Sequence, residues 1–297
     1  MSVSTTPPQS KAVFAPPEAT ADRERMRRAH AGAAATLTVR AHGRETWMFK
    51  GRTLSRRAGE ERWLRVVATP LDKPRGITWD GTARADTLLP RSVPRPRLHD
   101  VFEWTDPTHL YRAELSEHVP RPALQAGGPL LTRELDLPDS WWADLRGALA
   151  VSAATVPTHR QAVRQQWIDR HFSRLLGIST VPVTSWTTGH GDLHFGNLLG
   201  PPLVIIDWEG FGRMPSGFDA GLLHAYSLTM PATADRIRAA FPDVFCTQEG
   251  RVGELVALAQ LLQVSERGGH PELAPHLARR AEQLTGVPVP LPPTPAR

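Results

Sequence analysis

The chain has 297 residues, of which 40% are hydrophobic and 22% charged, enough apolar material for one large core or two modest lobes and too little net charge for wholesale disorder. Its formal charge of +5 comes almost entirely from arginine, because lysine occurs only at Lys11, Lys50 and Lys73. The arginines are scattered without aromatic interleaving, which weighs against a nucleic-acid groove. A single cysteine, Cys246, excludes an internal disulfide; the absence of a basic-then-apolar leader and of any long apolar run weighs against membrane insertion. The expectation is a soluble cytoplasmic protein.

In chain order, residues 1–20 hold four prolines and read as a flexible tail. Residues 35–70 contain three strand-like stretches, ATLTV, TWMF and RWLRVVA, separated by the turn-forming clusters HGR and RRAGEE, which predicts a small antiparallel sheet. ITWDGTARADTLLP (77–90) reads as a helix ending before a Pro-rich stretch, and HLYRAELSEHV (109–119) as a further strand and a connection. Helices dominate afterwards. Ile168, Phe172 and Leu175 share one face in 166–176, and Val252, Leu255, Val256, Ala259 and Leu262 recur at helical spacing. Turns and a short strand interrupt the helices at 186–209. The end, VPVPLPPTPAR, excludes helix and central strand. The expected domains are a tail at 1–20, an amino-terminal lobe at 21–117, a carboxy-terminal lobe at 118–286 and a second tail at 287–297.

The chemistry concentrates in HGDLHFGNLLGPPLVIIDWE, residues 190–209. Phosphoryl transfer asks for a carboxylate near the attacking hydroxyl, oxygen ligands for a metal that bridges phosphates, and a cation on the triphosphate. Asp192 lies in a glycine-containing loop and Asn197 follows five positions later, so a carboxylate and an amide project from one irregular segment. Asp207 ends the apolar strand LVII and offers a hard oxygen ligand for Mg²⁺. His190 and His194 stand four apart, but Gly191 and Gly196 oppose a helix that would align them, and no cysteine is near to complete a zinc site. A Gly-x-Ser-x-Gly elbow and a Walker loop are both absent.

His-Gly-Asp, four residues, Asn, then Ile-Asp-Trp-Glu resembles the motif of the aminoglycoside phosphotransferase and choline kinase group. The resemblance implies an α+β protein-kinase-like fold of two lobes, a small antiparallel β-sheet lobe followed by a mainly helical lobe, with ATP or GTP and Mg²⁺ as cofactors. It implies Asp192 as catalytic base, His190 as a brace for the loop, Asn197 and Asp207 as metal ligands, and Asp219 as acceptor of backbone hydrogen bonds from the catalytic loop. The family's phosphate-binding lysine on the third strand corresponds to Arg65, with Lys50 as rival and Asp80 or Asp86 as possible carboxylate partners. A phosphate-covering loop falls at AHGRET (41–46), and Glu117, His118 and Val119 would present backbone to the base. The implied acceptor is a small hydroxylated compound, an aminoglycoside or related antibiotic or metabolite first, with Glu209 facing it. The alternative is a pseudokinase that binds nucleotide without turnover, which Arg65 and the glycine-poor loop motivate.

Overall fold

The computed structural model describes residues 15–289 except 77 and 157; the parts of the two expected tails at 1–14 and 290–297 lie outside the described residues. Two compact units divide the chain. One runs to Asp86 and resumes over Pro96–Pro120; the other holds Thr87–Arg95 and everything from Arg121 onward.

The first unit is built on a five-stranded antiparallel sheet of order β1-β2-β3-β5-β4, with β1 (Ala41–Met48), β2 (Thr53–Ala58), β3 (Arg62–Pro70), β4 (Leu98–Thr105) and β5 (His109–Glu117). Helix α1 (Thr20–Thr36) packs on one face. Its buried positions Met26, His30, Ala33 and Ala34 recur at helical spacing and meet Leu54, Leu64, Val66, Tyr111, Ala113 and Leu115. Burial of a side chain as large as Met26 contributes about 1.5–3 kcal/mol. Period-two alternation then points Arg65 and Glu114 to the opposite face from Leu64 and Leu115.

Two sequence expectations change here. ATLTV is not a strand: Ala35 and Thr36 finish α1 and Leu37 caps it, because an alanine-rich segment propagates helix up to the first β-branched cluster. The HGR cluster is not a turn between strands but an irregularity inside β1, where the register slips between His42 and Thr46 and Gly43 adopts a positive φ. The first hairpin turn is therefore Phe49–Arg52, not AHGRET. Helix α2 (Gly81–Leu88) occupies part of the segment expected to be helical.

The second unit carries α3 (Asp139–Ala153), α4 (Gln165–Leu176), α5 (Phe218–Tyr226), α6 (Pro231–Ala240), α7 (Pro242–Phe245), α8 (Gln248–Glu266) and α9 (Ala274–Thr285). Ile168, Phe172 and Leu175 of α4 meet Phe218 and Leu222 of α5, Leu255, Val256 and Leu258 of α8, and Leu277 of α9 in one buried cluster. The unit also holds two short antiparallel pairs, one of which reaches this core through Met214. Strand β6 (Trp186–Gly189) pairs with β9 (Gly212–Pro215), and β7 (Leu198–Leu199) with β8 (Val204–Ile205). The residues 190–197 and 206–211 are thus two loops whose ends are fixed by the strands. No helix among the described residues is long and apolar enough to cross a membrane.

Candidate active site

The loop after β6 is held from three directions. Asp219, in the first turn of α5, accepts the His190 N–H at 2.7 Å with Oδ2 and the Gly191 N–H at 2.9 Å with Oδ1. His190 is fully buried; its Nδ1 accepts the Asp192 N–H at 3.2 Å, which leaves the ring proton on Nε2 to donate to Ile206 O at 2.9 Å. The ring lies 4.8 Å from that of Trp208. Asn197 then closes the loop on itself, donating from Nδ2 to Asp192 O at 2.9 Å. Phe195, fully buried, anchors the loop's far side against Trp141 and Trp142.

Two glycines make this packing sterically feasible. A Cβ at Gly189 would fall 2.3 Å from Asp219 Oδ2, and one at Gly191, whose φ is +84°, 2.2 Å from Gly210 O. The loop can then carry Asp192 with its side chain 49% exposed.

The second loop leaves β8 at Ile205. Ile206 N–H donates to Asn197 O at 2.9 Å, so Asp207 follows a residue directly bonded to Asn197. Asp207 is left-handed, at φ 64° and ψ 52°, a conformation that costs a non-glycine residue about 1 kcal/mol or more and that the surrounding bonds must sustain. Arg160 grips the segment beyond it, donating Nη2 to Glu209 O at 3.0 Å and Nε to Phe211 O at 2.8 Å. Sequence reasoning missed Arg160, since nothing local marks an arginine 49 or 51 residues from the carbonyls it holds.

No family model and no curated protein matches the chain. Solved structures do. A thermostable mutant of aminoglycoside phosphotransferase APH(4)-Ia, in ternary complex with ADP and hygromycin B, superposes with a TM-score of 0.53 at 12% identity, over 86% of this chain and 97% of that one. Its apo form gives 0.49 at 13% identity with the same coverage, and amicoumacin kinase hAmiN, bound to AMP-PNP, Ca²⁺ and Ami, gives 0.43 at 12% over 96% and 94%. The fold is that of the aminoglycoside phosphotransferases. It is a two-lobed, protein-kinase-like α+β fold, as the motif at 190–209 implied.

Within the aminoglycoside phosphotransferase fold, the electrostatics of the loop favour an ionised Asp192. Burial pushes its carboxyl up, but the adjacent His194, whose Nε2 lies 3.8 Å from Oδ2, and the nearby His190 ring outweigh this and hold it below the ordinary aspartate value. Burial pushes the Asp219 carboxyl up, against the pull of its two backbone donors and His190. His194 also caps the turn Phe195–Asn197, its Nδ1 accepting the Gly196 N–H at 3.1 Å. Tyr226, from the end of α5, stands edge-on to His194 at 5.6 Å; burial, with Asp192 beside it, pushes its phenol up. Sequence reasoning did not single Tyr226 out.

In the first unit, Arg65 lies on β3 directly opposite Glu114 of β5, and Nη1 meets Glu114 Oε2 at 2.9 Å. Glu114 is shared: Arg112 Nε reaches Oε1 at 2.9 Å, and Arg112 Nη1 reaches Glu103 Oε1 on β4 at 2.8 Å. A ladder of charges thus crosses three strands. Glu114 is a strand carboxylate that the sequence did not point to; Asp80 meets Arg84 at 3.4 Å and Asp86 accepts the Leu98 N–H. Lys50 is exposed in the first hairpin turn, off the strand.

At 117–119, the Glu117 N–H already donates to Arg97 O and the His118 N–H to Glu61 O, which leaves Val119 as the residue of the three whose N–H has no partner among the described residues. His118 stacks on Trp63 at 5.9 Å. Glu209, expected to face substrate, is 3% exposed in the turn Trp208–Gly210. Its burial follows from the packing of Trp208 and Phe211 on either side, both in the core.

Proposed function

We propose that the chain is an ATP-dependent phosphotransferase that moves the γ-phosphoryl group to a hydroxyl of a small molecule, with Asp192 as the base that orients and deprotonates that hydroxyl. The observation that carries this reading is the double acceptance of the His190 and Gly191 amides by Asp219, which fixes the loop and leaves Asp192 half exposed and ionised. A fixed carboxylate beside the attacking oxygen supplies positioning and general-base assistance, which is most of what a protein adds to phosphoryl transfer.

The residues suit a divalent ion shared with a nucleotide. With Nδ2 of Asn197 committed to Asp192 O, its Oδ1 is the atom left for a cation, and Asp207 adds a carboxylate from a position fixed by Ile206. Two hard oxygen ligands match Mg²⁺, which takes waters and phosphate oxygens for the rest. When bound, Mg²⁺ supplies charge neutralisation at the transferring group. Arg65 is the triphosphate cation in this reading, its planar fork held by Glu114, and Val119 N–H is the donor for the base.

An aminoglycoside or related antibiotic or metabolite is the first acceptor class. The fold neighbour bound to ADP and hygromycin B makes hygromycin B a natural member of the test panel. A cytoplasmic location, where ATP is abundant, accompanies this reading. ADP release should be followed with ATP or GTP and Mg²⁺ over hygromycin B, other aminoglycosides, amino alcohols and sugars. Acceptor-dependent turnover that falls about 10²–10⁴-fold in Asp192→Asn, with nucleotide affinity retained, is the expected result. Undiminished turnover in that variant would remove Asp192 from the mechanism. Nucleotide binding with no turnover on any acceptor favours the pseudokinase, for which the Arg65 substitution and the hairpin turn Phe49–Arg52, with its single glycine, are the specific observations.

A further inference from the structure

We propose that the second unit carries a separate site for a phosphate dianion, in an open cavity of about 350 Å³ between the loop before α4, the first turn of α4 and the β6–β9 pair. This inference stands apart from the phosphotransferase reading and uses none of its residues.

Arg164 and Arg213 both line the cavity, and no lining residue is acidic. Across the described residues, Arg65, Arg112, Arg146, Arg174, Arg236 and Arg280 each meet a carboxylate. Arg164 and Arg213 meet none among the described residues. With two arginines and no acid along its lining, the cavity offers positive charge without a competing carboxylate, and an anion bound there gains from it.

The arginine on the β-pair is also held in place. The Arg213 guanidinium sits 4.6 Å from the centroid of the Trp186 ring, and Trp186 is itself fixed by its Nε1–H, which donates to Val183 O at 3.0 Å. The backbone of Arg213 is bonded on both sides, donating to Arg160 O and accepting from the Ala162 and Val163 N–H groups. A fork fixed in this way loses little entropy when it binds.

The amide side chains divide into two roles. Gln165 is structural, accepting the Val183 N–H and donating to Val181 O and Asp169. The side chains of Gln161 and Gln166 have no hydrogen-bond partner among the described residues and remain as neutral donors at the rim. Two charged forks and two amides present more donors than a carboxylate's two oxygens use, and suit the three terminal oxygens of a phosphate. The shared chemistry is the phosphate dianion; its source is either free phosphate or the ester of a small phosphorylated molecule.

The test is calorimetric titration of the full chain, in buffer without phosphate, with inorganic phosphate and separately with glucose 6-phosphate. Saturable binding, weakened at least tenfold in Arg164→Gln/Arg213→Gln and unchanged in Arg65→Gln, is the expected result. Arg164→Gln alone, at an exposed position, should weaken binding in the same direction and guards against a folding defect in the double variant. Tighter binding of the ester identifies a phosphorylated small molecule as the occupant, and equal or weaker binding identifies free phosphate. No binding by the parent chain, undiminished binding in the double variant, or loss of binding in Arg65→Gln would overturn the proposal.

Discussion

Asp219 Oδ2 accepts the His190 backbone N–H at 2.7 Å, and the same contact leaves no room for a side chain at Gly189, whose Cβ would lie 2.3 Å from that oxygen. One carboxylate from α5 therefore sets both the entry angle and the composition of the loop that carries Asp192.

Asp219→Ala leaves two amide donors of the 190–191 segment without an acceptor in a buried place. We expect a stability loss of about 2–4 kcal/mol by denaturant unfolding and a fall in kcat well beyond any change in nucleotide affinity. Asp219→Asn keeps one acceptor oxygen and should lie between. An Asp219→Ala variant of parental stability and kcat would show that the loop holds its shape without α5.

The ionisation of Asp192 gives a pH dependence with a definite sign. Its folded pKa is held below the ordinary aspartate value of about 3.9, so a rate that needs the carboxylate stays flat down to that region and falls only at lower pH. The same shift contributes stability that is complete above about pH 3.9 and is lost as pH falls through the folded value. Asn at position 194 can still accept the Gly196 N–H while removing the imidazole, so His194→Asn should move the acid limb of kcat/KM upward. An unmoved limb would locate the cause elsewhere.

Arg65→Ala removes one of two guanidinium partners of Glu114 and leaves Arg112 in place. The fold should survive, at a cost of about 1–2 kcal/mol, while the KM for ATP rises on the order of tenfold or more if Arg65 grips phosphate. An ATP KM equal to the parent's, with stability reduced, would make the charge ladder purely structural.

Glu254 is 1% exposed and is shared by His224 at 3.1 Å and Arg280 at 2.7 Å, tying α5, α8 and α9 together. Burial pushes Glu254 up, but the hydrogen bonds and charges of His224 and Arg280 win and hold it low. Its contribution is therefore complete above the ordinary glutamate value of about 4.3 and fades as pH falls through the folded value. Arg280→Met should cost about 3 kcal/mol in thermal or denaturant unfolding, and adding Glu254→Gln should recover part of it. A double variant less stable than the single would contradict this.

The candidate site was legible because it is local: Asp192, Asn197 and Asp207 lie within sixteen residues, and glycines and an apolar strand mark the turns between them. Helices α4 and α8 were legible because their apolar stripes repeat with the helical period. Helix α1 was not, since its buried stripe of Met, His and two Ala carries little apolar contrast, and the hairpin turn was misplaced because Gly43 kinks a strand as readily as it makes a turn.

The sequence by itself determined the reaction class to expect, because the residue types and spacing of one short segment constrain that chemistry. Tertiary structure alone decided which distant groups meet. Glu114 reaches Arg65 across a strand pair 49 residues apart, Arg160 grips the carbonyls beyond Asp207, Glu209 is buried, and Arg164 and Arg213 come to line one cavity. Each of these depends on strand register or helix packing between distant segments, and pairings at that range leave no mark on local composition.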